Sequence, residues 1–317
     1  MMVRIRTVSV PSVEMLEALQ PAPEGISLVV WDFDVEPVGA ELAHIDAAVL
    51  PYMASPDQFG DAVRSAPNLL LVQTQSTGYE GIPELVGDDV AVTSAAGVHA
   101  AATAELAIGL TIASLRGIDD AVRNQTLGQW KPARFPGLAD RRVLLVGVGG
   151  IGVEIARRLE PFEVELTRVG SSARDDEWGR VHGSDELVVL AGQADVLIVI
   201  TPLTGATRGL IDAEVLAAMP DGALVVNVAR GAVVDSEALT AEVVSGRLSA
   251  ALDVFDPEPV PEGHALWAAP GALITPHSGG NTGAFWPRMI RLLKRQLDSF
   301  AAGKEPANLV QRGSLFS

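Results

Sequence analysis

Short apolar runs alternate with amphipathic stretches along the first hundred residues. The runs are rich in valine, leucine, isoleucine and alanine and are short, as expected for buried strands. They predict strands at 3–10, 27–31, 47–52, 69–73 and 90–94. The intervening stretches begin near prolines, which are tolerated in a first helical turn. They predict short helices at 11–19, 56–65 and 82–86. Strands that alternate with helices indicate a parallel sheet with helical crossovers.

The same alternation resumes after a long apolar helix predicted over 99–117 and a more polar one over 119–130. Buried strands are expected at 142–146, 164–169, 195–200, 223–228, 248–252 and 273–275. Further helices are expected at 212–219, 235–245 and 284–301. The segment 304–309 is predicted to be a tail that packs back on the first part of the chain. Two α/β regions follow from this pattern.

A glycine-rich turn joins the strand at 142–146 to an amphipathic helix. Gly147, Gly149 and Gly152 have the G-x-G-x-x-G spacing. In a strand-turn-helix context these glycines allow a tight turn, close approach of the backbone to a diphosphate, and close helix packing. The N–H groups and dipole at the helix start then attract the anion. Dinucleotide binding is therefore favoured over a plain turn, with Gly150 and Ile151 also at the site.

The composition of the chain limits the ligands and partners that it can have. A chain of 317 residues, 48% of them hydrophobic, is long enough for two cores. The absence of cysteine excludes disulfides, thiolate metal sites and a cysteine nucleophile, and no metal site is predicted. A net charge of −17 argues against nucleic acid and anionic membranes. Segment 1–10 lacks a signal-peptide pattern and no apolar run is long enough for a membrane span, which favours a cytoplasmic protein.

The residues after the strand at 164–169 bear on the choice of cofactor. An acidic residue in this place binds the ribose hydroxyls of NAD. This chain has Gly170, followed by Ser171, Ser172 and Arg174. Hydroxyl and guanidinium groups bind a phosphate that a carboxylate repels, so NADP(H) is favoured and NAD(H) is the alternative. In the alternative interpretation, Arg168 and Arg174 are solvated surface charges.

Three ionisable residues follow successive predicted strands of the second region. Arg230, Glu258 and His277 lie where parallel sheets assemble their sites. A guanidinium binds a carboxylate with two hydrogen bonds, a histidine transfers a proton near neutral pH, and a glutamate orients the histidine. Each has an ordinary structural interpretation alone; together, beside a dinucleotide site, they favour hydride transfer to a 2-keto acid. A small polar loop at 73–79 is either an anion site or an ordinary turn.

Several of these blocks, in this order, resemble the D-isomer-specific 2-hydroxy acid dehydrogenase family, closest in appearance to its NADP-preferring glyoxylate/hydroxypyruvate reductases. They span most of the chain: 73–78, 103–105, 147–152, 201–204, 226–231, 252–259 and 275–277. Glu258 and the absence of lysine in 73–79 differ from the formate- and phosphite-oxidising branches. The resemblance implies reduction of a small 2-keto acid, such as glyoxylate, hydroxypyruvate or pyruvate, to the D-2-hydroxy acid.

The resemblance also implies a domain arrangement and residue roles. A Rossmann dinucleotide-binding domain, 99–280, is inserted in a smaller flavodoxin-like substrate domain, 1–98 plus 281–317, and the protein is a homodimer. Arg230 binds the substrate carboxylate and keto oxygen, His277 donates the proton, and Glu258 pairs with His277. The substrate loop is Ser76, Thr77 and Gly78. Further contacts to the cofactor are implied for Thr201, Pro202, Val228, Ala229, Asp253, His277 and Gly279.

Two competing functions share these motifs. A dinucleotide-sensing regulator, similar to a co-repressor, would use the same cleft but needs no proton donor. A methyltransferase would use the glycine turn for its methyl donor, but Arg230 and His277 would have no role in it. The reductase explains all three ionisable residues.

Overall fold

The computed structural model describes residues 3–53 and 56–316 and carries both predicted α/β regions. The strands are β1 Thr7–Val10, β2 Ser27–Val30, β3 Ala47–Val49, β4 Leu71–Gln73, β5 Ala91–Thr93, β6 Arg142–Val146, β7 Glu165–Val169, β8 Arg174–Asp176, β9 Gly179–Val181, β10 Val196–Val199, β11 Leu224–Asn227, β12 Ser249–Leu252, β13 Ala272–Ile274 and β14 Leu309–Gln311. The helices are α1 Val13–Ala18, α2 Pro56–Ser65, α3 Ile82–Val86, α4 Ala100–Leu115, α5 Ile118–Thr126, α6 Gly150–Leu159, α7 Leu187–Ala191, α8 Ala213–Ala218, α9 Ser236–Val244 and α10 Phe285–Ala301.

The chain divides into two compact units. One consists of Met1–His99 and Gly283–Ser317, and the other is Ala100–Thr282. The boundaries expected from the sequence, 98/99 and 280/281, lie one and two residues away from these. Met1 and Met2 of the segment in which no signal peptide was expected lie outside the described residues. The assignment of one unit to the substrate and of the other to the dinucleotide stays a prediction.

The first unit is built on a six-stranded sheet with the order β14-β5-β4-β3-β1-β2. β1 to β5 are parallel, and β14 pairs antiparallel with β5. The sequence predicted only a tail over 304–309; the strand was missed because its residues are partly exposed and form no sustained apolar run. The apolar face of α10 packs in the core with β1, β3 and β4. The carboxyl end of β4 leads directly into the loop at 74–78.

The second unit contains a fully parallel six-stranded sheet, ordered β13-β12-β11-β10-β6-β7. Its central strands are buried on both faces, which explains why their sequences are apolar without alternation. All carboxyl ends meet at one edge, where the loops containing 147–152, 201–204, 228–231, 253–258 and 275–279 begin. The α/β class with parallel sheets is thereby confirmed. A two-stranded antiparallel hairpin, β8–β9, was not predicted.

Over residues 3–53 and 56–316, no single helix is long and apolar enough to cross a bilayer. Only α4 and α5 taken together, with a 66° bend between them, satisfy the length and composition criteria.

Candidate active site

The glycine turn between β6 and α6 is too crowded for side chains at two positions. Gly147 has φ +117°, and a Cβ atom on it would lie 2.6 Å from the Ile200 carbonyl oxygen. A Cβ on Gly152 would collide with the Gly147 carbonyl. Gly149, in contrast, has no protein atom near an added Cβ, so its face is open to a ligand. The turn thus brings the start of α6, with its N–H groups, to the carboxyl edge of the sheet, as anion binding requires.

The neighbouring strand ends carry the other residues assigned to the cofactor. Thr201 follows β10, and its hydroxyl is buried without a hydrogen-bond partner in the described part of the chain. Val228 and Ala229 are buried after β11, and the Val228 N–H donates to the Val199 carbonyl at 3.3 Å. A buried hydroxyl without a partner is uncommon in proteins and points to a ligand. The Thr201 hydroxyl and the open face of the glycine turn therefore fit a dinucleotide lying across β6 and β10.

Arg168 is not the solvated surface charge of the alternative interpretation. Its side chain is 6% exposed and makes two hydrogen bonds to Asp176 on β8, of 2.7 and 3.0 Å. It also donates to the Gly179 carbonyl at 2.9 Å. The Arg168 guanidinium lowers the pKa of Asp176 below its ordinary value. Arg168 thus holds the β8–β9 hairpin to β7, and the sequence offered no signal for this because the hairpin was not predicted.

Gly170, Ser171, Ser172 and Arg174 form the turn between β7 and the hairpin. Both serines and the arginine are exposed, and the Arg174 guanidinium donates to the Ser172 carbonyl at 3.2 Å. An added Cβ at Gly170 would lie 3.0–3.1 Å from Arg174, Val148 and Val181, closer than most real Cβ contacts. The turn therefore presents hydroxyls and one guanidinium to solvent, with little room for an acidic side chain at residue 170.

His277 and Glu258 form a hydrogen-bonded pair. Their Nδ1 and Oε2 atoms are 2.7 Å apart, and the second carboxylate oxygen accepts the Phe255 N–H at 3.0 Å. The pair is accessible to a ligand from solvent, since the side chain of His277 is 49% exposed and that of Glu258 is 36% exposed. With Nδ1 facing the carboxylate, Nε2 is the ring nitrogen left to exchange a proton with a ligand. The two residues predicted to act together are thus in contact.

Asp253 organises the turn on which His277 is held. The histidine has φ +49°, a left-handed conformation that side chains rarely adopt. The Asp253 carboxylate, 3% exposed, accepts the Thr275 hydroxyl at 2.6 Å and the N–H groups of Ser278 and Gly279 at 2.9 and 2.8 Å. The Asp253 carbonyl also accepts the His277 N–H at 2.8 Å. These bonds offset the backbone strain and fix the direction of the imidazole.

Arg230 ends the turn that follows β11. Asn227, 1% exposed, braces this turn by accepting the Ala229 N–H at 3.0 Å and donating to the Arg230 carbonyl at 3.1 Å. A Cβ on Gly231 would collide with the Phe255 backbone, so this turn lies against the loop that holds Glu258. β12 separates β11 from β13, so the starts of the Arg230 and His277 loops are about 10 Å apart. Asn227 is a positioning residue that sequence reasoning did not single out.

Ser76, Thr77 and Gly78 lie in the first unit, in the loop after β4. The Ser76 hydroxyl donates to the Gly78 carbonyl at 2.6 Å, which curls the loop around Thr77. The Thr77 hydroxyl is buried without a partner in the described part of the chain. The N–H groups of Thr77 and Gly78 have no acceptor there either. A compact loop with free N–H groups suits a carboxylate, which agrees with its predicted role.

The comparison with protein families decides the affiliation. The NAD binding domain of the D-isomer specific 2-hydroxyacid dehydrogenases matches residues 108–279. A glyoxylate reductase of Thermofilum pendens is 35% identical over 263 residues, covering 80% of this chain and 78% of that protein. The chain belongs to the D-isomer-specific 2-hydroxyacid dehydrogenase family. The resemblance carried by the sequence motifs is confirmed.

Other members of the family are similar over two thirds of this chain or more. The human glyoxylate reductase/hydroxypyruvate reductase is 34% identical over 227 residues, 68% of this chain and 69% of that protein. A family member from Xanthobacter autotrophicus, solved with NADPH and MES, superposes with a TM-score of 0.80 at 27% identity, covering 99% and 100% of the two chains. An NADPH-dependent glyoxylate/hydroxypyruvate reductase from Sinorhizobium meliloti, solved with NADP and malonate, gives 0.77 at 28% identity, covering 97% and 98%.

Proposed function

We propose that this dehydrogenase reduces small 2-keto acids to D-2-hydroxy acids with NADPH. The observation that carries the proposal is the His277–Glu258 pair, with 2.7 Å between Nδ1 and Oε2, on the sheet edge shared with Arg230 and the glycine turn. Membership of the family and the similarity to glyoxylate reductases support the reaction class. Glyoxylate, hydroxypyruvate and pyruvate are the proposed substrates.

Each residue of the proposed site has a separate role in the reduction. Arg230 binds the substrate carboxylate and polarises the keto oxygen, because its guanidinium offers several parallel donors. The free N–H groups at Thr77 and Gly78 are the donors proposed to bind a substrate carboxylate in the first unit. His277 donates a proton from Nε2 to the oxygen as negative charge develops there. Glu258 accepts a hydrogen bond from Nδ1, which orients the ring and leaves Nε2 for the substrate.

The cofactor site fits NADP(H) better than NAD(H). When bound, the reduced nicotinamide supplies the hydride. Gly147, Gly149, Gly150, Ile151 and Gly152 would hold the diphosphate at the start of α6. Ser171, Ser172 and Arg174 would bind the 2′-phosphate; Thr201, Pro202, Val228, Ala229, Asp253 and Gly279 would contact the nicotinamide half. The carboxylate oxygen of Asp253 that bonds Gly279 has one short partner, which leaves it able to accept from a carboxamide. NADP(H) in the similar solved structures supports this preference.

The decisive experiment measures NADPH oxidation with a panel of glyoxylate, hydroxypyruvate and pyruvate for the wild type, His277→Gln and the control His44→Gln, which alters an exposed histidine. We expect His277→Gln to lower kcat by about 10²–10⁴-fold, the usual effect of a positioned acid, while NADPH still binds. His44→Gln should match the wild type. Full turnover by His277→Gln would contradict the proposal.

The same panel tests the regulatory alternative, which none of the named relatives supports. A sensor would bind NADPH tightly and oxidise it with no member of the panel. Repeating the assay with NADH tests the cofactor: a higher kcat/KM with NADH than with NADPH would show that the turn at 170–174 does not select the 2′-phosphate.

A homodimer is also proposed. α5 and the segment after it expose large apolar side chains: Ile118 at 47%, Val122 at 55%, Leu127 at 68% and Trp130 at 94%. The chain has a net charge of −17, so a patch of exposed apolar side chains is unusual on it. Packing them against a second copy of the chain is more favourable than leaving them in water. Light scattering should give twice the chain mass of 33.2 kDa, and Leu127→Asp should yield the monomer. A monomeric wild type would contradict the dimer.

A cytoplasmic location is inferred from the proposed reaction, because cells maintain reduced NADPH in their interior. Fractionation of cells that express the tagged full chain tests this location. Recovery in a membrane or secreted fraction would contradict it.

A further inference from the structure

Gln296 is a polar residue in the middle of the apolar face of α10. Its neighbours at helical spacing are buried hydrophobic residues: Met289, Leu292, Leu293, Leu297 and Phe300. The Gln296 side chain is itself 2% exposed. Burying an amide costs about 1–3 kcal/mol unless its donors and acceptor are satisfied. An amide at this position therefore requires partners, and a leucine would have been the simpler choice for packing alone.

The partners of Gln296 connect it to β4. Its Nε2 donates to Gln73 Oε1 at 2.7 Å and to the Ala307 carbonyl at 2.9 Å, and its Oε1 accepts the Ala307 N–H at 2.9 Å. Gln73, also 2% exposed, accepts the Thr93 hydroxyl at 2.9 Å. Gln73 Nε2 then donates to the Thr74 carbonyl at 2.8 Å. This hydrogen-bonded chain from α10 thus ends on the first residue of the loop at 74–78.

Thr74 in turn restrains the peptide unit that carries the Thr77 N–H. The Thr74 hydroxyl donates to the Ser76 carbonyl at 2.8 Å, and that carbonyl also accepts the Ala95 N–H at 2.8 Å. The Ser76 carbonyl and the Thr77 N–H belong to one planar peptide unit and point in opposite directions. Two donors on the carbonyl side therefore fix the N–H on the other side.

We propose that Gln296 and Gln73 are positioning residues for the carboxylate-binding loop. The two amides fix Thr74, and Thr74 aims the Thr77 N–H at the substrate carboxylate. This inference rests on the proposed reductase activity. It assigns to the last helix a part in substrate binding, although Gln296 lies 223 residues from Gln73 along the chain.

The test compares Gln296→Met with Gln311→Met. Gln311 lies in the same unit and also donates to two carbonyls, those of Gly87 and Val90, each at 2.8 Å, but these lie in the loop between α3 and β5. For Gln296→Met we expect the KM for glyoxylate to rise about ten-fold, the equivalent of one hydrogen bond to a charged group, with kcat changed less than about three-fold and the KM for NADPH unchanged. Gln311→Met should leave all three values as in the wild type. An equal KM for glyoxylate in both variants would overturn the proposal.

A second pair of variants keeps the test decisive if Gln296→Met does not fold. Thr74→Val removes only the hydroxyl that reaches the Ser76 carbonyl, and should also raise the KM for glyoxylate. Its control is Thr111→Val, since Thr111 is fully buried in α4 and donates at 2.7 Å to the Ala107 carbonyl. A KM for glyoxylate in Thr74→Val equal to that of the control would overturn the proposal.

Amide hydrogen exchange separates the failure of this inference from the failure of the proposed function. If the wild type oxidises no NADPH with any 2-keto acid, the proposed function fails. The exchange rate of residues 74–79 still reports on the loop. Faster exchange there in Gln296→Met than in Gln311→Met supports the positioning role, and equal exchange in the two variants overturns it.

Discussion

Arg174 is the one guanidinium in the turn at 170–174, and it is exposed beside Ser171 and Ser172. A charge-assisted bond to a phosphate contributes about 1.5–3 kcal/mol. Arg174→Ala should therefore raise the KM for NADPH at least about ten-fold and leave the KM for NADH nearly unchanged. Steady-state kinetics with both cofactors measure this, with Arg157→Ala, an exposed arginine on α6, as the control. Equal changes in KM for the two cofactors would show that Arg174 does not bind the 2′-phosphate.

Glu258 shows how a single carboxylate serves two neighbours, since one oxygen pairs with His277 and the other holds the Phe255 N–H. Glu258→Gln preserves the size of the side chain but replaces the carboxylate that accepts the hydrogen bond from His277 with an amide. We expect kcat to fall at least about ten-fold, with NADPH binding retained. Glu262→Gln, an exposed residue of the same loop, is the control. Unchanged kcat in Glu258→Gln would show that the pair is only structural.

At the scale of elements, the turn after β13 depends on Asp253 at the end of β12. Asp253→Asn replaces one acceptor by an amide donor, which then faces the Gly279 N–H or the Thr275 and Ser278 donors. A buried donor left unsatisfied costs about 1–3 kcal/mol. The variant should unfold at a lower temperature and also lose kcat, because His277 no longer keeps its left-handed conformation. Normal kcat in a destabilised Asp253→Asn would show that the turn does not orient the histidine.

The starts of β6 and β10 are joined by an ion pair. Asp195 accepts the Arg142 N–H at 2.9 Å and the guanidinium Nη2 at 2.8 Å. The bond to the Arg142 guanidinium lowers the pKa of Asp195 below its ordinary value. A carboxylate with a depressed folded-state pKa stabilises the protein above its unfolded pKa of about 4, and this contribution is lost as the pH falls through the lower folded-state value.

Asp195→Asn should therefore lower the free energy of unfolding by about 1 kcal/mol at pH 7, a value kept small by solvent screening. The difference from wild type should shrink below about pH 4, where the wild-type carboxyl also becomes neutral. Thermal unfolding from pH 3 to pH 7 measures it. Asp221→Asn, which removes an 88% exposed carboxylate that lies 3.7 Å from the Arg247 guanidinium, is the control and should lower the free energy of unfolding less at pH 7. A constant difference across this range would refute the contribution of the charge.

At the scale of the whole molecule, each unit has hydrophobic clusters of its own. Calorimetry should therefore resolve two transitions. Leu197→Ala in β10 and Leu297→Ala in α10 remove matched side chains, 0% and 3% exposed, and each should destabilise its own unit by about 2–5 kcal/mol. NADPH should raise only the transition that Leu197→Ala lowers. A single transition shifted equally by both variants would contradict independent units.

The helices and strands that the sequence predicted correctly are those with a clear pattern of apolar residues. Ile82–Val86 has the predicted bounds, and the long helices and buried strands were found within a few residues, because periodicity over many residues is strong. The strands β8, β9 and β14 were missed because they are largely exposed or only partly buried and lack the buried apolar run that marks the other short strands. Arg168 was misinterpreted because its partner Asp176 lies on one of those strands. The roles assigned to the site residues stay predictions that the proposed experiments test.

The sequence by itself determined the two α/β regions, the glycine turn and the order of Arg230, Glu258 and His277 along successive strands, because these depend on local periodicity and on spacing. Only the tertiary structure decided which polar residues are buried and what they bind. Gln73 and Gln296 meet across 223 residues, and Asp253 holds a turn more than twenty residues further on. Partners so distant in the chain leave no local pattern, since a hydrogen bond depends on where the fold brings two atoms.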